Sequence, residues 1–526
     1  MLDLKITGGT IIDGSGRPAY SADLGISGET IAGIGTSLPD AERVLSAAGR
    51  VVCPGFIDTH SHSDLRLLAD PPPTAKLSQG ITTELLGQDG LGVAPVEAHT
   101  RDHLSRLTAG LLGRRPPGQW TWRTFSDYLD ALDEARLPNN QAVLASHGPL
   151  RLLAVGAGDR PATTAELDAM RTQLREALQQ GAWGLSTGLI YPPCSYGPTS
   201  ELAALTEVVA ECDGVFVVHM RDEGLYLLDA LDEVIDVCRS SGCRLHISHL
   251  QAHGRAVWHL LPRALERIDA AIDEGLSVTA DRYPYLAGCT VLSAVLPAWM
   301  LDGGPQTCLK RLSDETWRAR VHHAFTQGLE VWHNRSISVG WDSIVISWVA
   351  GQANEHLVGQ SIGDISRETG EDPVDVVCDL LLEEQLEVTM IAHYGSEENL
   401  EKVLAHPVTV VGTDGIYGGR PHPRLWGTYP RFLGRYARDR GLMTLEEGIR
   451  KATSSAARLI GLRDRGTIEV GMKADLAVFD RERIIDRATY DDPEQVSEGM
   501  ETVLVNGRTA WEGAAPRQHP GRVLRR

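Results

Sequence analysis

Apolar and polar positions along this chain follow two different rhythms. At the N-terminal end, 4-LKITGGTIIDG-14 and 22-ADLGISGETIAGIG-35 read as short strands broken by glycine turns. Near the other end, 475-DLAVFD-480 and 502-TVLVNGRTAW-511 read the same way, with Asn506-Gly507 as a hairpin turn. Neither terminal piece is large enough to bury a good core alone. The two are therefore expected to pair into one small β-sandwich, residues 1–54 with 465–526, with 55–464 inserted between them.

Between the ends, helical and extended patterns alternate. Thr163 and Glu166 form a capping-box signal that opens the amphipathic run 165–180, closed by Gly181. The apolar run 182-AWGLSTGLI-190 follows, then helix 200–212, strand 215–219, helix 225–240, strand 244–249, helix 262–275 and strand 276–281. Strands alternating with helices imply right-handed crossovers and a parallel sheet. This many units predict an α/β fold, a TIM-like (β/α)8 barrel over 55–464. The region 286–400 is less regular and reads as an insertion shaping a lid, and the polar tail 513–526 reads as frayed.

Composition narrows the partners. The 526 residues are 42% hydrophobic, ample for large cores without disulfides. Acidic residues outnumber basic ones, 70 to 50, and a net charge of -20 argues against nucleic acid or an anionic membrane as partner. The eight cysteines are scattered without a CxxC, which predicts reduced thiols and a cytoplasmic setting, with Cys238 and Cys243 as two half-buried thiols. No basic-then-apolar leader opens the chain, and no run long enough to span a bilayer occurs.

In a parallel barrel the active site lies at the C-terminal ends of the strands. The run 51-VVCPGFIDTHSH-62 ends in His60 and His62, which share a strand face and so reach one ion together. The run 80-GITTELLGQDG-90 ends near Asp89, 215–219 ends in His219, 244–249 ends in His249, and 407-PVTVVGTDG-415 ends near Asp414. One imidazole at a strand end is ordinary; five strand ends carrying an imidazole or a carboxylate point to a metal site. Such a donor set suits Zn2+ or a similar divalent ion.

These residues carry a resemblance. PGFIDTHSH, the split β domain, the two single-histidine strand ends and the late aspartate resemble the amidohydrolase superfamily. Within it, KLSQGITTELLGQDG (76–90), GAWGLSTGLIYPP (181–193), HMRDEG (219–224), HISHL (246–250), DRYPY (281–285), GTDG (412–415) and PHPRLWGTYPRFLG (421–434) resemble the N-acyl-D-amino-acid deacylases, over nearly the whole chain. The resemblance implies zinc-dependent hydrolysis of the amide of a small N-acyl-D-amino acid, with one or two ions. It implies His60, His62, His219 and His249 as metal ligands, and Asp414 as the aspartate that ligates metal and shuttles the proton. Tyr191 and Tyr283 lie in matched motifs and resemble substrate-contacting tyrosines; His147, in SHGPLR, matches a motif without a role that can be assigned.

Two departures stand out. The family's Gly-Asn-Cys-Gly is here Gly87-Gln88-Asp89-Gly90, so a carboxylate replaces a metal-binding thiolate and Mn2+ or Co2+ becomes admissible beside Zn2+. None of Lys5, Lys76, Lys310, Lys402, Lys451 and Lys473 ends a barrel strand, which leaves Asp89 as the candidate bridge between two metals. The family's lysine two residues after the last histidine is here Gln251, and Arg221 or Arg255 is expected to hold the substrate carboxylate instead. Cyclic-amide hydrolases and deaminases share the scaffold and chemistry, and a non-catalytic scaffold is a third reading. The intact histidines count against the last of these, and the missing strand-end lysine against the first.

Overall fold

A computed structural model describes residues 1–327 and 338–526. Eight parallel strands close a barrel: β1 Phe56–Asp58, β2 Ile81–Leu86, β3 Asn140–Val143 continued by Ala145–Ser146, β4 Gly184–Gly188, β5 Val215–His219, β6 Arg244–Ile247, β7 Val278–Arg282 and β8 Thr409–Val411. Each pairs in parallel with its neighbour, and a bridge from Ser61 to Gly415 joins β1 to β8. The strands are buried almost throughout, as a sheet covered by helices on one face and packed with side chains inside requires.

Four helices lie where the pattern predicts. Thr163 caps Thr164–Gln179 through the Glu166 amide, and Glu166 reaches back to the Thr163 N–H at 2.8 Å. Thr199–Glu211, Leu227–Ser241 and Leu261–Asp273 follow, each turning apolar side chains onto the barrel. Strand β3 is the barrel strand that the pattern reading passes over: it is short and interrupted at Leu144.

The chain's two ends meet in one nine-stranded sheet. Val51–Pro54 pairs in parallel with Leu2–Ile11 on one side and antiparallel with Leu476–Phe479 on the other, setting Cys53 opposite Ala477. Met500–Val505 and Arg508–Glu512 form the predicted hairpin, with Asn506 and Gly507 both at positive φ (49° and 76°), the conformation a tight hairpin turn demands. Residues of both ends, among them Ile6, Leu24, Val52, Leu476 and Leu504, share one core.

Between β7 and β8 the chain makes a three-stranded antiparallel sheet, Ala287–Val291, Val388–His393 and Ile344–Val349, whose helices enclose a core of their own. This is the irregular stretch of the sequence.

The C-terminal tail departs from expectation, since it is not frayed. Its last residues lie against the barrel: Gln141 N–H donates to Arg522 C=O at 2.9 Å, Leu524 N–H to Gln141 C=O at 2.7 Å, and the Trp183 indole to Leu524 C=O at 2.6 Å. Backbone pairing, invisible to composition, holds a polar segment in place. All eight cysteines are free, and Cys238 and Cys243 are buried rather than half-buried, their sulfurs 3.2 Å apart.

Candidate metal centre

The strand-end residues converge at one end of the barrel. Through its Oδ2, Asp89 lies 3.5 Å from His60 Nε2, 3.5 Å from His62 Nε2 and 4.0 Å from His219 Nδ1. Asp414 Oδ1 is 3.2 Å from His62 Nε2 and 3.7 Å from His60 Nε2. Three groups have ligand atoms spaced to hold an ion: His60, His62 and Asp89; Asp89, His219 and His249; and His60, His249 and Asp414. Asp89, His60 and His249 each belong to two of them.

The backbone is bent to make this happen. Asp89, His249 and Asp414 all have positive φ, at 56°, 35° and 49°, a conformation that non-glycine residues seldom adopt. Such strain concentrates where surrounding structure over-determines a functional group. Behind Asp89, Gly90 leaves no room for a side chain: a Cβ there would stand 2.8 Å from Cys194 Sγ and 3.0 Å from the Gly188 nitrogen. His147 sits beside this turn, its ring bonded to Thr187 Oγ1 and Glu201 Oε1, both at 2.9 Å, which fixes the end of β4.

A surrounding layer orients the rings. Asp281, the end of β7, lies 3.4 Å from His60 Nδ1 and 3.0 Å from His246 Nε2, and accepts the His249 N–H at 2.7 Å. Glu223 takes His249 Nδ1 at 2.8 Å. With His249 Nδ1 bonded to Glu223 and His60 Nδ1 facing Asp281, the two rings turn Nε2 to the cluster, the usual arrangement behind metal-binding imidazoles. Burial pushes the carboxyls of Asp89, Glu223 and Asp414 up, but the adjoining histidines, and Arg424 for Asp414, outweigh it and hold all three below the ordinary carboxylate range.

The donor set fits a divalent ion. His60 Nε2 and Asp89 Oδ1 are buried and make no hydrogen bond among the described residues. Buried polar atoms without partners are rare and call for one. Lys76 offers no carboxylated bridge, because its ammonium is already the ion-pair partner of Asp58 at 2.5 Å and also bonds Thr413.

The cluster opens into a cavity lined by Tyr191, Gln251, Tyr283, Tyr394, Arg424 and an apolar wall of Leu111, Ile344, Met390 and Ile416. Tyr191, Gln251 and Tyr283 are where the sequence reading expects them. Arg221 and Arg255 are not. Arg221 is held by Glu233 at 3.0 Å and by the carbonyls of Ser195 and Gly197, and Arg255 is exposed outside the cavity. The cavity's guanidinium is Arg424, in the matched PHPRLWG motif. It is fully buried, paired with Asp414 Oδ2 at 2.8 Å and stacked 4.4 Å from the Tyr283 ring centre, with its Nε free of hydrogen bonds. Gln251 is consumed by its neighbours: its amide nitrogen donates to Glu223 at 3.1 Å, and its oxygen accepts from Tyr394 OH at 2.9 Å and from Arg282. A lysine there could donate to Glu223 but could not accept from Arg282.

Among the described residues no helix is long and apolar enough to cross a membrane. The model of the Amidohydrolase family matches residues 43–510. Over its whole length the chain is 35% identical to the D-aminoacylase of Alcaligenes xylosoxydans xylosoxydans, covering 98% of that protein. It is 36% identical to the N-acyl-D-glutamate deacylase of the same organism, covering 97% of it. Among solved structures, a D-aminoacylase described with a binuclear metal centre superposes over both full chains with a TM-score of 0.85 at 34% identity. An N-acyl-D-glutamate deacylase from Bordetella bronchiseptica, complexed with zinc and a phosphonate inhibitor, does so over both full chains with a TM-score of 0.84 at 34% identity.

Proposed function

The chain belongs to the amidohydrolase family, among the D-aminoacylase-type enzymes, and from its site we propose that it hydrolyses the amide of N-acyl-D-amino acids. Its reaction class is metal-dependent hydrolysis of a non-peptide C–N bond, at a centre built for two divalent ions, zinc or a related metal. The observation that carries the substrate reading is Asp414 standing between the ligand cluster and the buried Arg424 in one cavity.

His60, His62 and Asp89 would hold one ion, and Asp89, His219 and His249 the other. A divalent ion bound there supplies Lewis acidity, which makes water more acidic and polarises an amide carbonyl. The chain's own residues do the rest. Asp414, kept ionised, accepts the proton of the attacking water on its carboxylate and returns it to the departing amine nitrogen. The amine leaves as a neutral group, and the acyl carbon keeps the water's oxygen as a carboxylic acid, whose remaining proton passes to solvent and leaves the carboxylate. Arg424, with the Tyr283 ring beneath it, takes the substrate carboxylate and so sets the amide over the cluster. The apolar wall excludes water from the reacting bond. The preference for the D form is supported by likeness to the D-aminoacylases.

Amine release from matched N-acetyl-D- and N-acetyl-L-amino acids by zinc-loaded protein tests this. Turnover confined to the D forms is expected. Turnover of L forms only, or of neither, would overturn the proposal.

A further inference from the structure

A second cavity is lined by residues close along the chain to those that line the first. Two of its lining residues directly follow residues that line the substrate cavity, and a third lies one helical turn from another. Pro192 follows Tyr191, Val291 follows Thr290, and Leu107 lies one helical turn from Leu111 on the helix Ala98–Leu112. Three separate elements thus carry residues into both chambers and make a common wall. A side-chain hydrogen bond pins that wall, between Tyr191 OH and Thr290 Oγ1 at 2.7 Å.

The second chamber suits hydrocarbon. Leucine, proline and valine dominate it, Arg106 is its one charged lining residue, and burial pushes the imidazole of His103 down to about 4, so that ring is neutral at physiological pH. The chamber also lies on the side a substrate's acyl group would face. With the carboxylate on Arg424, beside Asp414, the acyl chain leaves the amide in the opposite sense, past His219 toward Tyr191, whose ring centre is 5.3 Å from that of His219.

We propose that the second cavity receives the distal part of a medium-chain N-acyl group, entering where the Tyr191–Thr290 hydrogen bond opens, so that fatty acyl amides of D-amino acids are substrates alongside short-chain ones. This rests on the deacylase reading above and names the acyl class it takes.

The test compares N-acetyl-D-leucine with N-octanoyl-D-leucine on the metal-loaded full chain and on two variants that fill only the second chamber, Ser293→Phe and Leu107→Phe. Wild type is expected to hydrolyse both substrates. Each variant should lose about tenfold or more in kcat/KM for the octanoyl substrate, the scale on which a pocket senses missing or added methylenes, and keep its acetyl activity. Retained acetyl turnover also shows that the variant is folded. If wild type cleaves the acetyl but not the octanoyl substrate, or if both filled variants treat the two substrates alike, the acyl chamber is wrong while the deacylase reading stands. If wild type cleaves neither, the deacylase reading falls and takes this proposal with it.

Discussion

Asp89 meets three histidines through one carboxylate oxygen and keeps the other, buried, without a hydrogen bond. A thiolate at this position has one donor atom to share between two ions; a carboxylate has two, and each is harder. That difference is chemical and was legible in four letters, Gly-Gln-Asp-Gly. His60, His62, His219, His249 and Asp414 were legible for a related reason: a barrel brings its strand ends together, so residues far apart in sequence can be grouped by their place on a strand. Arg424, Glu223 and Asp281 act through neighbours from other elements. Glu223 stands four residues after His219 and Asp281 ends a barrel strand, so each had a signal. Arg424 opens the helix Arg424–Arg431 beyond β8, in a matched motif, but helical spacing alone does not mark it as a buried guanidinium. For Asp414 the expectation is sharp. Asp414→Asn should retain bound metal while kcat falls by about 10²–10⁴-fold, the usual contribution of general acid–base transfer. Metal analysis and steady-state rates on one preparation decide it, and full activity in that variant would remove Asp414 from proton transfer.

At the scale of elements, the four helices Thr164–Gln179, Thr199–Glu211, Leu227–Ser241 and Leu261–Asp273 and seven of the eight strands follow from periodicity because their apolar faces are set by local spacing, whereas helices such as Ala98–Leu112 and Phe125–Glu134 do not. The insertion is different. Ala287–Val291 pairs with Val388–His393, and Ile344–Val349 joins them from between, so each strand's partner is distant and the turn signals that identify hairpins are absent. One helix–strand joint has a consequence for pH. Lys451, on the helix Leu445–Ala452, is buried and donates to the carbonyls of His406 and Thr409 at the start of β8. Burial pushes its ammonium down from 10.5 to about 8. The unfolded chain therefore binds more protons than the folded one between those values, and stability rises with pH across that window. Chemical denaturation of wild type and Lys451→Met from pH 7 to 10.5 should show the wild type gaining on the variant, by up to ~3 kcal/mol. A pH-independent difference would mean the lysine is not held this way.

At the scale of the molecule, the two ends of the chain are structural partners. The pairing of terminal strands was legible because neither end carries enough apolar surface to stand alone. The docking of the last residues was not, because it rests on main-chain hydrogen bonds and on ion pairs such as Arg525 with Asp130 and Asp133. A chain truncated after Pro520 should therefore melt at a lower temperature with its KM unchanged, because the tail engages the start of β3 and the approach to β4, not the strand ends that carry the cluster. Scanning fluorimetry beside steady-state kinetics would show this, and an unaltered melting point would make the tail passive. The same sheet imposes an order on biosynthesis. Val51–Pro54 lies between a strand made before it and one, Leu476–Phe479, made only after the whole barrel. At roughly 5–20 residues per second, the ribosome leaves that edge uncovered for tens of seconds. The nascent protein must shield an open strand edge for as long as the barrel takes to be made, until Leu476–Phe479 emerges to cover it.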